Sequence, residues 1–145
     1  MTADREPEAL LGLTVYLLSR VARLGKRELD ARLAERGLAM RQVAVLAAVA
    51  ERGPTGQLPI GRHVRLDPSD VTATVDALES AALVTRGVDP ADRRRRLVTL
   101  TAEGRRALDD ALALADRVAE DVLAPLPADR RRELHRDLRA VLDAR

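Results

Sequence analysis

The chain has 145 residues with 25 Lys/Arg against 23 Asp/Glu, a formal net charge of +2, which fits one domain that buries a core or shares one with a second copy. Hydrophobic residues at 46% and charged residues at 33% exclude a disordered chain, and no apolar run approaches the ~20 residues that a bilayer crossing requires. The absence of cysteine excludes disulfides, thiolate metal sites and thiol redox sensing; with the polar start Met1–Glu6, unlike a secretory signal, it makes a cytoplasmic protein the economical expectation.

From Glu8 to about Ala34, Leu10, Leu13, Leu17, Val21 and Leu24 recur at helical spacing, and Gly37 suits the end of that helix. Leu11, Val15 and Leu18 widen its apolar face, as burial against a partner chain would require. A second helix, about Met40 to Glu51, carries Val43, Leu46, Ala47 and Ala50 on one face. After the break at Gly53-Pro54-Thr55-Gly56, a short third helix is expected to start near Pro59 and run to Arg65. Asp67 reads as the N-cap of a fourth, Pro68 to Ala82, which buries Val71, Val75 and Leu78 and presents Ser69, Ala73, Asp76 and Ala77 on the other side.

Leu83–Arg86 and Leu97–Leu100 read as two strands of a hairpin, punctuated by Gly87 and turned by Asp89-Pro90. Its tip holds Arg93, Arg94, Arg95 and Arg96, so residues 86–96 carry five arginines against two aspartates. Strand alternation would put Arg94 and Arg96 on one side and Arg93 and Arg95 on the other. Thr101 is expected to cap a long helix to about Leu123, striped by Leu108, Leu112, Ala115, Val118 and Val122, until Pro125 and Pro127 stop it. A last helix runs from about Ala128 to Ala144.

Two short helices around a tight turn, followed by a basic hairpin, follow the logic of a winged helix-turn-helix. A polar-faced helix enters the major groove while a basic loop reaches the backbone or minor groove. Tyr16 is the sole aromatic residue, which argues against modules that stack single-stranded bases on rings, so a bound nucleic acid should be duplex. No nucleophile–base pair or phosphate-binding glycine loop is visible, so an enzyme is not expected. His63 and His135 lack metal-ligand spacing and read as surface residues; no cofactor, metal or membrane partner is expected.

The stretch Ile60–Gly104 resembles the MarR (multiple-antibiotic-resistance regulator) family in Leu66-Asp67-Pro68-Ser69, Thr72, Leu78-Glu79, Leu83-Val84-Thr85-Arg86, Asp89, Asp92, Arg94, Leu100-Thr101 and Gly104. The resemblance implies a mainly α fold of about six helices with a small hairpin wing. It divides the chain into a winged-helix lobe, residues 40–100, and a helical dimerisation region, residues 1–36 and 101–145. It also implies a homodimer on a pseudo-palindromic operator, usually a repressor modulated by a small-molecule effector. A non-specific architectural DNA binder is the alternative.

By carry-over, Arg94 enters the minor groove, Asp92 pairs with it and organises the wing, and Ser69, Asp70, Thr72 and Ala73 meet base edges and phosphates. From the residues alone, Asp92 is also readable as a plain turn residue, and Ser69 and Thr72 as helix-start residues satisfying free amides. Arg86 is open between a phosphate contact and a bridge to an acid within the sheet. Tyr16 is an interface or core residue, or else lines an effector cleft. Two departures from the family pattern stand out. Ala82 replaces a usual glycine, at a cost of order 1 kcal/mol if the site is left-handed, and Gly61 replaces a common alanine.

Overall fold

The computed structural model describes residues 5–145; the reading of Met1–Glu6 as no secretory signal falls mostly outside them. It contains seven helices and one hairpin among these residues: α1 (Glu8–Leu11), α2 (Thr14–Ala34), α3 (Met40–Arg52), α4 (Gln57–Val64), α5 (Pro68–Ser80), β1 (Val84–Val88), β2 (Arg96–Leu100), α6 (Ala102–Val122) and α7 (Ala128–Asp143). Asp30–Leu114 forms one compact unit, and the described residues up to Leu29 with Ala115–Arg145 form another. No helix among the described residues is long and apolar enough to cross a membrane.

The expected first helix is two helices. Gly12 caps α1, its amide bonded to the Glu8 carbonyl, and Leu13 donates to Leu10 O at 3.0 Å before α2 begins. Glycine is about 1 kcal/mol worse than alanine inside a helix, so the break falls there. Likewise α4 starts two residues before Pro59, because the first four helical amides lack intrahelical partners and proline's missing N–H costs nothing among them. Asp67 holds the extended N-cap position of α5 but makes no side-chain cap bond. The Thr72 and Thr74 hydroxyls instead donate back to the Pro68 and Asp70 carbonyls at 3.0 and 2.6 Å.

The core of the larger unit is Leu33, Val43, Val45, Leu46, Ala48, Val49, Ile60, Val71, Val75, Leu78, Val84 and Val98, with Leu108, Ala111 and Leu114. Helix α3 is buried on more sides than its expected single face, because α4, α5 and β2 all pack on it. On α6 the buried stripe is Leu108, Ala111, Leu114 and Val118, while Leu112 is exposed. In the smaller unit, Leu13, Val15, Leu17, Leu18, Val21 and Leu24 of the α2 region and Leu138, Val141 and Leu142 of α7 are exposed.

The hairpin pairs Val84 with Leu100 and Val88 with Arg96, so β1 runs on through Gly87. Thr55 adds a further antiparallel bridge, giving 3.1 Å from its amide to Val98 O and 2.8 Å in return. Thr101 caps α6 as expected: its hydroxyl accepts the Gly104 amide at 2.9 Å and faces the Ala82 and Leu83 carbonyls at 2.7 and 3.0 Å. Helix α6 thereby sits so close to the hairpin that a Cβ on Gly104 would overlap the Leu83 carbonyl oxygen. Gly61 has a similar reason, since a Cβ there would lie 3.0 Å from Val71 Cγ2 and 3.1 Å from Leu66 O.

Ala82 has φ +59° and closes α5, with Leu83 N–H bonded to Leu78 O at 2.9 Å, the six-to-one bond of a glycine-type helix stop. Ala82→Gly should therefore raise unfolding free energy by about 1 kcal/mol. Gly104→Ala should lower it by at least ~2 kcal/mol, since backbone must move to admit the methyl. Urea titration of both variants checks the pair.

Candidate nucleic-acid interface

The site is built on α5 and the hairpin, both within Asp30–Leu114. Burial of Val71, Thr74, Val75 and Leu78 at helical spacing leaves Ser69, Thr72, Ala73 and Asp76 exposed along the opposite side of α5. Asp70 is half-buried, and its carboxylate lies 3.8 Å from Arg41 of α3.

The wing tip is held by its own backbone and two aspartates. Asp89 N–H donates to Arg95 O at 2.9 Å, and Arg95 N–H returns to Asp92 O at 2.9 Å. Asp89 Oδ1 accepts from Ala91 N–H at 2.9 Å and Asp92 Oδ1 from Arg94 N–H at 3.0 Å; each carboxylate bonds a main chain two residues on, the geometry of an Asx turn. Asp92 thus meets Arg94 through its backbone amide.

Arg93 to Arg95 lie in the turn, and only Arg96 belongs to β2. The expected two-sided alternation therefore does not describe the tip, because turn residues lack the period of a strand. All four arginines are exposed, and the Arg95 side chain leans toward Gly56, with its Nη2 3.8 Å from where a Cβ would sit.

Arg86 departs most from the expected set. Of the roles open to it, the structure takes the acid bridge, and the acids come from α5 rather than the sheet. Its Nη2 donates to Asp76 Oδ1 at 2.6 Å, Nη1 to Glu79 Oε1 at 3.1 Å, and its backbone amide to Glu79 Oε2 at 3.1 Å. Nε donates to Gln57 Oε1 at 3.1 Å, while Gln57 Nε2 donates to Thr72 Oγ1 at 2.9 Å. The side chain is 13% exposed, so Arg86 stands behind the surface as the tie between wing and helix.

Gln57 and the acidic pair were not among the expected site residues. Asp76 and Glu79 had a faint signal, two acids three apart on one helix before a strand arginine. Gln57 had none, lying 29 positions from Arg86.

His63 sits between Glu51 Oε2 and Arg52 Nη2, each at 3.3 Å. Because a guanidinium only donates, Nδ1 must accept from Arg52 and Nε2–H must donate to Glu51. No cluster of His, Cys, Asp or Glu able to hold a metal exists among the described residues. Tyr16 is half-buried beside a shallow concavity with Gly12, Leu13, Thr14, Val15 and Ser19.

A model of the MarR family matches residues 38–95. The HTH-type transcriptional repressor Rv2887 of Mycobacterium tuberculosis is 30% identical over 123 residues, 85% of this chain and 88% of that protein. Its crystal structure in complex with DNA superposes with a TM-score of 0.78, at 28% identity, over 90% of this chain and 98% of that one. The transcriptional regulator HosA of Escherichia coli O111:H- is 31% identical over 103 residues, 71% of this chain and 76% of its own. CouR of Rhodococcus jostii RHA1, solved bound to p-coumaroyl-CoA, is similar at TM-score 0.74 and 32% identity, covering 93% and 95% of the two chains.

Charge-assisted bonds to a largely buried guanidinium contribute about 1.5–3 kcal/mol each at most, and exposed partners reduce that through solvent screening. Arg86→Ala should therefore destabilise the fold by about 2 kcal/mol. Arg86→Lys should recover little, since an ammonium cannot match the fork that serves Gln57, Asp76 and Glu79 together. Denaturant midpoints of the two variants measure this; full rescue by lysine would mean that charge alone matters.

Proposed function

Because this chain belongs to the MarR family of winged-helix transcriptional regulators, we propose that it binds duplex DNA as a sequence-specific regulator, acting as a homodimeric repressor on a pseudo-palindromic operator. One observation carries this: a polar helix face and a four-arginine tip, tied together through Arg86, are presented by a single compact unit. In that arrangement Ser69, Asp70, Thr72 and Ala73 face the major groove. Arg93, Arg94, Arg95 and Arg96 serve phosphates and the adjoining minor groove, with Arg94 at the turn that Asp92 shapes.

Dimerisation is supported by the exposed apolar side chains of the smaller unit, Val15, Leu18 and Leu24 on α2 and Val141 and Leu142 on α7 among them. So many exposed apolar side chains on two helices are what a covering partner would explain. Two copies would set two α5 helices about one DNA turn apart. A small-molecule effector is proposed by likeness to relatives such as CouR, whose structure holds p-coumaroyl-CoA; Tyr16, the only Phe, Tyr or Trp of the chain, is the residue of this unit to test first.

A mobility shift with the DNA upstream of the protein's own gene tests the proposal. Neutralising roughly 6–10 phosphates should cost ~10³–10⁵ in affinity between 50 and 200 mM salt, and a salt-independent interaction would reject it. Equal affinity for that DNA and random duplex would favour the architectural alternative. Arg94→Ala should weaken binding by at least about tenfold while sedimentation still gives twice the 15.8 kDa chain mass; unchanged affinity would remove Arg94 from the interface.

A further inference from the structure

Side chains around α5 fix which hydrogen-bonding groups its surface can offer. Arg86 Nε only donates, so the Gln57 atom it meets at 3.1 Å is the carbonyl oxygen, and the amide nitrogen must face Thr72. Thr72 Oγ1 then accepts from Gln57 and uses its single proton on Pro68 O, 3.0 Å away. The hydroxyl therefore has no proton left for a base, and Thr72 can present only its methyl and one remaining lone pair. Ala73 presents another methyl. Asp76, 60% exposed, is acceptor-only, and its charge is held and partly offset by Arg86. No Arg, Lys, Asn or Gln lies on α5, so the bidentate readers of guanine and of adenine are both absent from the helix, which leaves apolar contact as its means of choosing a pair.

We propose that α5 is a reader of A·T base pairs through their thymine methyls, with Thr72 and Ala73 as specificity-determining residues and Gln57 as the residue that positions Thr72. In the major groove only an A·T pair carries a methyl, on thymine; a G·C pair offers none, while a carboxylate can accept from the amino group of either adenine or cytosine and so does not choose between the pairs. The methyls of Thr72 and Ala73 on α5 therefore carry the preference, by apolar contact with the thymine methyl. Wing arginines, which serve phosphates and the adjoining minor groove, do not touch the major-groove edges that α5 would meet. This rests on the proposal that the chain binds duplex DNA, and it names the class of sequence that the reading helix prefers.

Selection of duplexes from a randomised pool by the full-length protein tests it. The expected consensus places A·T pairs where each half-site meets α5, and changing one to G·C should weaken binding roughly tenfold. Replacing those thymines by uracil, which removes only the methyl, should weaken it roughly threefold. Thr72→Val should keep the thymine-over-uracil preference and Thr72→Ser should lose it. A consensus with guanine at those positions, or the reverse behaviour of the two Thr72 variants, would overturn the inference while leaving a DNA-binding regulator intact. Retention of no duplex from the pool would overturn both.

Discussion

A guanidinium held between two carboxylates and an amide is the interaction on which the rest of the larger unit depends. A two-stranded hairpin is marginally stable alone, and its angle to a neighbouring helix is set by whatever ties it down. Arg86 supplies that tie from a side chain that is itself largely buried, while its partners Asp76 and Glu79 stay open to solvent and partly screened. The Thr55–Val98 bridge holds the hairpin from the other side. With both in place the hairpin is fastened to α5 on one side and to Thr55 on the other.

Close approach supplies the second constraint. Thr101 and Gly104 bring the first turn of α6 against the Leu83 carbonyl, and the left-handed Ala82 turns the chain from α5 into β1 at the same place. Helix stop, strand start and helix start are thus stacked within a few residues.

Charge is divided by element. Cationic side chains concentrate at the tip, where Arg93 to Arg96 are exposed, whereas α5 bears the acids Asp70, Asp76 and Glu79. Under the proposed function, attraction to phosphate and discrimination among base edges fall to different parts, and the acids on α5 are offset by their arginine partners, Arg41 and Arg86.

Most of the elements were legible in residue order. Periodic leucines and valines, Pro68 behind Asp67, the Asp-Pro turn and Thr101 three residues before Gly104 are local signals, and local signals report helices, strands and caps. They misplaced ends where a single residue tips a small balance, as Gly12 does in splitting the first helix and as Pro59 does by tolerating two helical residues before it. What sequence by itself determined is therefore the list of elements, the buried stripe of α5 and the basic tip. Only the tertiary structure decided that Arg86 turns inward to α5, that Gln57 reaches across 29 positions to orient Thr72, and that Gly61 and Gly104 are sites of contact rather than weak helix residues. Those outcomes depend on which surfaces meet, and a contact between distant residues leaves no period in the chain that forms it.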